Sequence, residues 1–563
     1  MFEKEVVKIL ETAGIEIDKD ILETPPQEEF GDLSFPCFEL AKEQKRNPAE
    51  IANEVASKIK IPKNSVIEKV EVKGAYVNFF YNYSKFSQSV LKEILNKKEN
   101  YGKGNERQRI MIEFAHPNTH KLFHIGHLRN ITTGESIARI LEFNGSKIIR
   151  TNYQGDVGLH IAKCLWGIKK LGLEKFSSLD KKVEFLGKAY TKGSKAYEED
   201  GNAKNEIIQI NKGLYEKEPK ITKLWKGTRK WSLEYFDRIY KRVYSKFDRF
   251  YFESEVAEPG IKISKNALKK GILKTSEGAV IFDGEKYGLD KRVFINNLGF
   301  PTYEAKELGL AQLEFSEFGK IDKAIHVVGP EQSSFFKVTF KVEDLLDSRK
   351  FKDKQIHLAY GWVRLREGKM SSRLGNVVEG EFLLDQLKKT VLEKYFKKQK
   401  YPQEEKLKIA EAIAVGAAKY YFLKVAIPSE ISFDINEAIS LEGNTGPYIQ
   451  YAYTRCSSIL RKVKIWKESF FSKTTNAEEK GLIKLLSRFP NVVKQASEDL
   501  KPNYICIYAY ELATVLNNFY EKHSVLKAEG KELKNFRLIL VKSTQIVLEN
   551  CLKLLGIEPI ERM

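Results

Sequence analysis

With 563 residues, 95 of them lysine or arginine and 76 aspartate or glutamate, the chain carries a formal net charge of +19. The length suits about three domains, and the dispersed positive charge suits a polyanionic partner. Five scattered cysteines (Cys37, Cys164, Cys456, Cys506, Cys551) form no C-x-x-C pair, which argues against a disulfide framework and against protein-bound zinc. No apolar run reaches the roughly 18 residues that cross a bilayer and nothing resembles a signal peptide, so the expectation is a soluble, cytoplasmic protein with no membrane attachment.

Residues 1–101 mix amphipathic helical periods with β-rich Val70-Glu71-Val72 and Tyr76-Val77-Asn78-Phe79-Phe80, and a polar linker from Lys97 to Asn105 closes the region. This makes an α+β N-terminal domain. Arg109 to Phe114 reads as a buried strand broken by Pro117-Asn118. Leu128, Ile131, Ile137, Ala138 and Leu141 then recur at helical spacing up to Asn144-Gly145, and Ser146 to Asn152 reads as the next strand. Residues from about 175 to 290, lysine-rich and aromatic around Leu224-Trp225 and Trp231 to Phe236, interrupt the pattern as an insertion. Strands follow at 324–329 and at Ile356 to Tyr360. Residues 102–386 are therefore expected to form an α/β domain with a doubly wound parallel sheet. Helical periods fill 387–563: Ile409–Lys424, 446–465, 480–499, 503–523 and 533–555, an all-α bundle.

Two strings carry chemistry. His124-Ile125-Gly126-His127 stands at the strand-to-helix turn, where helix N–H groups and the dipole favour phosphate. There Gly126 lets a base or ribose lie on the backbone, and both imidazoles can donate to phosphate oxygens. Far downstream, the glycine-flanked basic segment Lys369-Met370-Ser371-Ser372-Arg373 suits closing on a triphosphate, with Lys369 neutralising the leaving pyrophosphate. Alone, the second string is also an ordinary solvated turn. His116, His120, His124 and His127 have the i, i+4 spacing of metal ligands; Pro117 and Gly126 interrupt such a helix, and no Cys, Asp or Glu lies between to complete a site.

Taken in this order, the strings resemble the class I aminoacyl-tRNA synthetases and, within them, the arginyl-tRNA synthetases. The most specific run is Glu113-Phe114-Ala115-His116-Pro117-Asn118-Thr119-His120-Lys121-Leu122-Phe123 leading into His124 to Arg129. Asn152 to Gly158, Pro301 to Gly309, Leu441 to Tyr448 and Glu561-Arg562-Met563 also match. The resemblance implies catalysis by His124, His127, Lys121 and Lys369, and ATP binding by His124, Gly126, His127, Lys369, Met370, Ser371 and Ser372. It implies an arginine pocket lined by Glu113, Asn118, Tyr303, Glu307 and Gln332, where carboxylates meet the planar fork of a guanidinium. It further implies an N-terminal domain that grips the tRNA elbow, with Tyr76 stacking and Asn78 hydrogen-bonding. The C-terminal bundle then binds the anticodon, with Tyr448 and Arg455 on the RNA-facing side. The partners implied are tRNA(Arg), L-arginine and ATP with Mg2+ as a substrate complex, without zinc, in a monomer whose activation step needs tRNA.

Two departures stand out. Glu307 occupies a position where aspartate is expected, and Ser372 and Arg373 replace the second lysine and last serine of the general Lys-Met-Ser-Lys-Ser pattern. Lys121, just before His124, is the cation the family uses in compensation. A ligase for another amino acid, such as the cysteinyl enzyme, and a catalytically silent tRNA-binding paralogue are the alternatives.

Overall fold

Arg109-Ile110-Met111-Ile112-Glu113 is apolar on both faces, as a strand covered by helices on two sides must be. In a computed structural model of the protein it is the central strand of a five-stranded sheet. The structure describes residues 2–18, 21–366, 378–397, 399–463, 470 and 475–563. They divide into two compact units: 1–101 with 456–488 and 514–547, and 102–455 with 489–513 and 548–563.

The first unit holds a three-stranded antiparallel sheet in the order Leu33–Pro36, Tyr76–Tyr81, Ile67–Lys73. Val77 and Phe79 are fully buried between its helices. Lys484 pairs with the buried Asp32 at 2.7 Å. Arg537 meets Glu479 at 2.7 Å.

The sheet of the second unit runs Gln355–Ala359, Lys323–Val328, Arg109–Glu113, Lys147–Gln154, Arg249–Phe252, and every adjacent pair is parallel. The first and fourth strands in chain order thus lie side by side, and the winding of the chain reverses between them. Ligands of such sheets bind outside the strand carboxyl ends at that reversal. Arg249–Phe252 falls inside the 175–290 stretch expected as an insertion, yet it forms the sheet edge. That stretch is therefore two excursions: helices from Leu179 to Arg242, then the helix Glu253–Lys269 with a small sheet of Lys274–Ser276, Ala279–Phe282 and Arg292–Ile295.

The helix Ile125–Phe143 packs on the central strand. Its buried Ile131, Ala138 and Leu141 share one core with Ile110, Ile112 and Val327, with Ile413 and Ala417 of the helix Gln403–Leu423, and with Ile560. Arg129, 1% exposed, donates to four carbonyls: Gly361 at 2.5 Å, Trp362 at 3.0 Å, Ile427 at 2.9 Å and Ser429 at 2.7 Å. It thereby fastens the segment after Gln355–Ala359 to the parallel pair Val363–Leu365 and Ile431–Phe433. At the other end of this helix, Ser136 donates to the carbonyl of Leu554 and Arg139 to that of Lys553, while Lys419 donates to that of Gly556. No helix among the described residues is long and apolar enough to cross a membrane.

Candidate active site

A cavity of about 700 Å³ opens at the winding reversal, lined by Glu113, His116 and Asn118 beyond the first strand, and by Gly329, Glu331 and Gln332 beyond the fourth. His124, Gly126 and His127 form one wall, Glu253, Tyr303 and Glu307 another, and Trp362 to Leu365 with Val378 a third. The chain turns sharply to make it. Ala115, His116 and His120 have φ of +82°, +48° and +63°, a region that costs a residue with a side chain free energy and persists only where the surroundings impose it. Asn130 imposes it here: its side-chain oxygen accepts from the Ala115 amide at 2.7 Å, while its nitrogen donates to the Val327 carbonyl at 2.7 Å. Gly155 is required in turn, because a Cβ there would overlap the side chain of Asn118.

The two histidines of the turn cap the helix they begin. The Nδ1 of His124 accepts from the amides of Gly126 at 3.1 Å and His127 at 3.3 Å, and the Nδ1 of His127 accepts from the His124 amide at 3.2 Å. Their rings stack with centroids 3.6 Å apart. Burial and the neighbouring charge of Lys121 push His124 down to about 4, and burial with His124, His116 and Lys121 pushes His127 well below the usual histidine range. Both are neutral, and with each Nδ1 accepting, each proton must sit on Nε2. The expectation that first-turn amides would face phosphate is corrected by this arrangement. Ile125 donates to Val378 and Leu128 to His124, so all four amides from Ile125 to Leu128 are engaged. The two imidazole Nε2–H groups present donors instead. A Cβ at Gly126 would also meet the His124 ring, at 2.9 Å.

Acids occupy the floor. Glu113 and Glu307 are 2% and 4% exposed; Glu307 Oε1 is buried without a hydrogen-bond partner among the described residues, and the Glu113 carboxylate meets the buried Glu314 carboxyl as well as His326. Burial pushes Glu307 up to about 8. Glu253 lines the cavity with its carboxylate 2.7 Å from buried Lys306. Asp156, fully buried, ties the site to the helical excursion: it pairs with Arg229 at 2.8 Å and accepts from the Ser254 amide at 2.9 Å and hydroxyl at 2.7 Å.

The family description "tRNA synthetases class I (R), catalytic domain" matches residues 90–434, "Arginyl tRNA synthetase N terminal domain" matches 1–81, and "DALR anticodon binding domain" matches 449–563. The chain belongs to the arginyl-tRNA synthetase family. Among curated relatives, the arginine–tRNA ligase of Treponema denticola is 36% identical over 564 residues, covering 96% of this chain and 94% of that one. That of Clostridium acetobutylicum is 34% identical over 548 residues, 96% of each. The solved arginyl-tRNA synthetase of Thermus thermophilus superposes with a TM-score of 0.82 at 26% identity, covering 100% of both chains.

Of the residues singled out in this synthetase sequence, Glu113, Asn118, His124, Gly126, His127, Tyr303, Glu307 and Gln332 all line the one cavity. Tyr303 sits at its rim, 62% exposed. Lys121 does not line it; its ammonium lies 5.1 Å from the Tyr190 ring centroid. Lys369, Met370, Ser371, Ser372 and Arg373 lie outside the described residues, although Leu365 before them and Val378 after them are both lining residues. In the first unit, Tyr76 is half-buried with its ring edge-on to Phe38, 5.4 Å between centroids. Phe38 is 49% exposed, a partner that sequence reading missed. Asn78 is 3% exposed, and its side-chain oxygen accepts from the Ser34 hydroxyl. In the second unit, Tyr448 packs 5.7 Å from Tyr510, and the Arg455 guanidinium lies 4.9 Å over the Tyr451 ring. Also missed were Asn130, Glu253 and Tyr153; each has a polar neighbour in the chain, so no local signal marked them. Among the described residues no three His, Cys, Asp or Glu side chains cluster as metal ligands.

Proposed function

We propose that this chain is an arginine–tRNA ligase that joins L-arginine to the terminal adenosine of tRNA(Arg) through arginyl-adenylate. The observation that carries the reading is the pairing, in one cavity, of two buried glutamates and two neutral imidazoles whose Nδ1 atoms are taken up by the helix cap. A guanidinium seats as a planar fork against Glu113 and Glu307, with Tyr303 and Gln332 beside it and Asn118 at the α-amino end. A carboxylate oxygen of arginine then forms a bond to the α-phosphorus of Mg·ATP, and the bond from that phosphorus to pyrophosphate breaks. The arginine carboxylate is already ionised and needs no base, so the protein contributes position and charge. His124 and His127 donate to the α-phosphate oxygens, Gly126 lies under the nucleoside, Lys121 and Lys369 neutralise the leaving pyrophosphate, and Met370, Ser371 and Ser372 bind the ATP beside them. The terminal tRNA hydroxyl next attacks the arginyl carbonyl carbon and AMP leaves.

The family match of 1–81 and 449–563 supports tRNA contacts by both terminal regions. Tyr76 with Phe38 offers a stacking surface there, and Tyr448 and Arg455 offer another. Asn78 contributes by fixing the strand beneath Tyr76. A monomer in the cytoplasm completes the reading.

Arginine-dependent ATP–pyrophosphate exchange, with and without tRNA(Arg) and with lysine and cysteine as controls, tests it. Exchange with arginine that needs tRNA is the expected result. Exchange with another amino acid would reassign the pocket, and none under any condition by a preparation that still binds tRNA would favour the silent paralogue.

A further inference from the structure

Beneath the pocket floor lies a charged group that no sequence motif announced. His326 interrupts the apolar strand Lys323–Val328 and is fully buried. Its Nδ1 is 3.1 Å from Glu113 Oε1 and its Nε2 is 2.7 Å from Gln355 Oε1. The Gln355 amide nitrogen is turned to Glu343 and its carboxamide oxygen to the ring. With the carboxamide turned this way both ring nitrogens face acceptors, an arrangement that a doubly protonated, cationic ring satisfies.

Its surroundings are acidic on every side. Glu113 approaches from the central strand, Glu307 and Glu314 from the helix Tyr303–Glu317, and Glu343 from the helix Ser333–Leu346; His116, Tyr153 and His357 complete the titratable groups around this floor. Phe336 and Phe340 close the ring off at 5.3 and 5.5 Å. Four buried carboxyl groups cannot all ionise around one cation. The direct bond assigns that cation to Glu113. Another buried cation nearby, Lys306, is held by Glu253 at 2.7 Å, so among the described residues Glu307 has no positive partner of its own.

We propose that His326 is a positioning residue that neutralises Glu113 from below, so that the substrate guanidinium is charge-matched by Glu307 alone and enters with loss of the proton Glu307 otherwise holds. This rests on the arginine-pocket reading above and deepens it. Burial would lower His326, but the bond and charge of Glu113 raise it to about 9; burial would raise Glu113, and His326 reverses that to hold it below its usual range. Glu307 stands at about 8 in the empty pocket, and a bound guanidinium lowers it. Because the bound state holds fewer protons than the free one, affinity rises with pH below about 8 and levels off above it. Specificity follows the same proton. Citrulline, a neutral urea of the same shape, suits a protonated Glu307, so preference for arginine over citrulline should widen from pH 6 to pH 8.

Calorimetric titration of the full-length protein with arginine at pH 7, in two buffers of different ionisation enthalpy, should show release of about one proton per arginine. The KM for arginine in the exchange assay should fall by up to about tenfold per unit between pH 6 and 8. His326→Gln keeps hydrogen-bonding capacity but removes the charge; it should raise the arginine KM at pH 7 by about 10- to 100-fold, move the pH midpoint upward and leave the ATP KM unchanged. Arginine binding without proton release, or H326Q with the wild-type pH profile, would overturn the proposal. The calorimetric result stands on the wild-type protein even where H326Q fails to fold. Absence of any arginine binding or exchange by wild type is a different outcome and would remove the pocket reading itself.

Discussion

Arg129→Met should loosen the cavity wall without touching a ligand. Methionine has similar reach and no charge, so four hydrogen bonds of 2.5–3.0 Å disappear together. Their loss is unequal. The Ile427 and Trp362 carbonyls keep backbone donors, Gly361 and Ile431, at 2.9 Å each, whereas the Gly361 and Ser429 carbonyls lose the donor described for them. A buried acceptor left unsatisfied costs about 1–3 kcal/mol; Gly361 is buried, and Ser429, partly exposed, can turn to water. Set against this, wild type buries a guanidinium with no carboxylate beside it among the described residues, and that burial lowers its pKa to about 10. Relief of that cost offsets part of the loss, leaving a net destabilisation of roughly 2 kcal/mol. Urea unfolding followed by tryptophan fluorescence reads it, since Trp362 adjoins the tether. The ATP KM should rise too, because Trp362, Val363, Arg364 and Leu365 line the cavity. Arg129→Lys should rescue little, as an ammonium cannot span the four carbonyls that a planar fork reaches. A wild-type unfolding midpoint for R129M, or full rescue by lysine, would refute the reasoning.

Two further substitutions separate structure from chemistry. His124→Ala removes the helix cap, at about 1 kcal/mol, and the Nε2–H donor; His124→Asn restores a capping oxygen but not that donor. Both should slow pyrophosphate exchange by about 10²- to 10³-fold while only the alanine variant melts clearly earlier, and an active H124N would sink the donor role. Gly134→Ala places a Cβ against the Phe114 side chain. Overpacking of about 1–3 kcal/mol should outweigh a helix-propensity gain of about 1 kcal/mol, so a raised melting temperature would contradict it.

The parallel sheet was readable because its inner strands are apolar runs bounded by turn residues, and the helix Ile125–Phe143 because its cap and stop lie in the chain itself. Arg249–Phe252 escaped notice because four residues among lysines show no period; only pairing with Lys147–Gln154 makes them a strand. The pocket acids were legible through family strings, but their protonation was not. That depends on His326, which lies far from Glu113 in sequence and meets it only across the sheet, and on Gln355, which meets His326 in turn. Likewise, Asn78 looks available as a polar residue on a strand, and the Ser34 hydroxyl engages it only once the sheet has formed.

The capping of the last helix by Ser136, Arg139 and Lys419 bears on synthesis. Ile560 belongs to the same core as Ile110 and Val327, and Met563 packs against it; Gln450 and Thr454 donate to the carbonyls of Glu558 and Ile560. A chain emerging from the ribosome can pair its central strands early, domain by domain. The core beneath His124 and His127 is complete only once residues 554–563, which bring Ile560 and Met563, have been made. A nascent or prematurely terminated chain that lacks this segment thus holds every pocket residue without the Ile560 and Met563 packing.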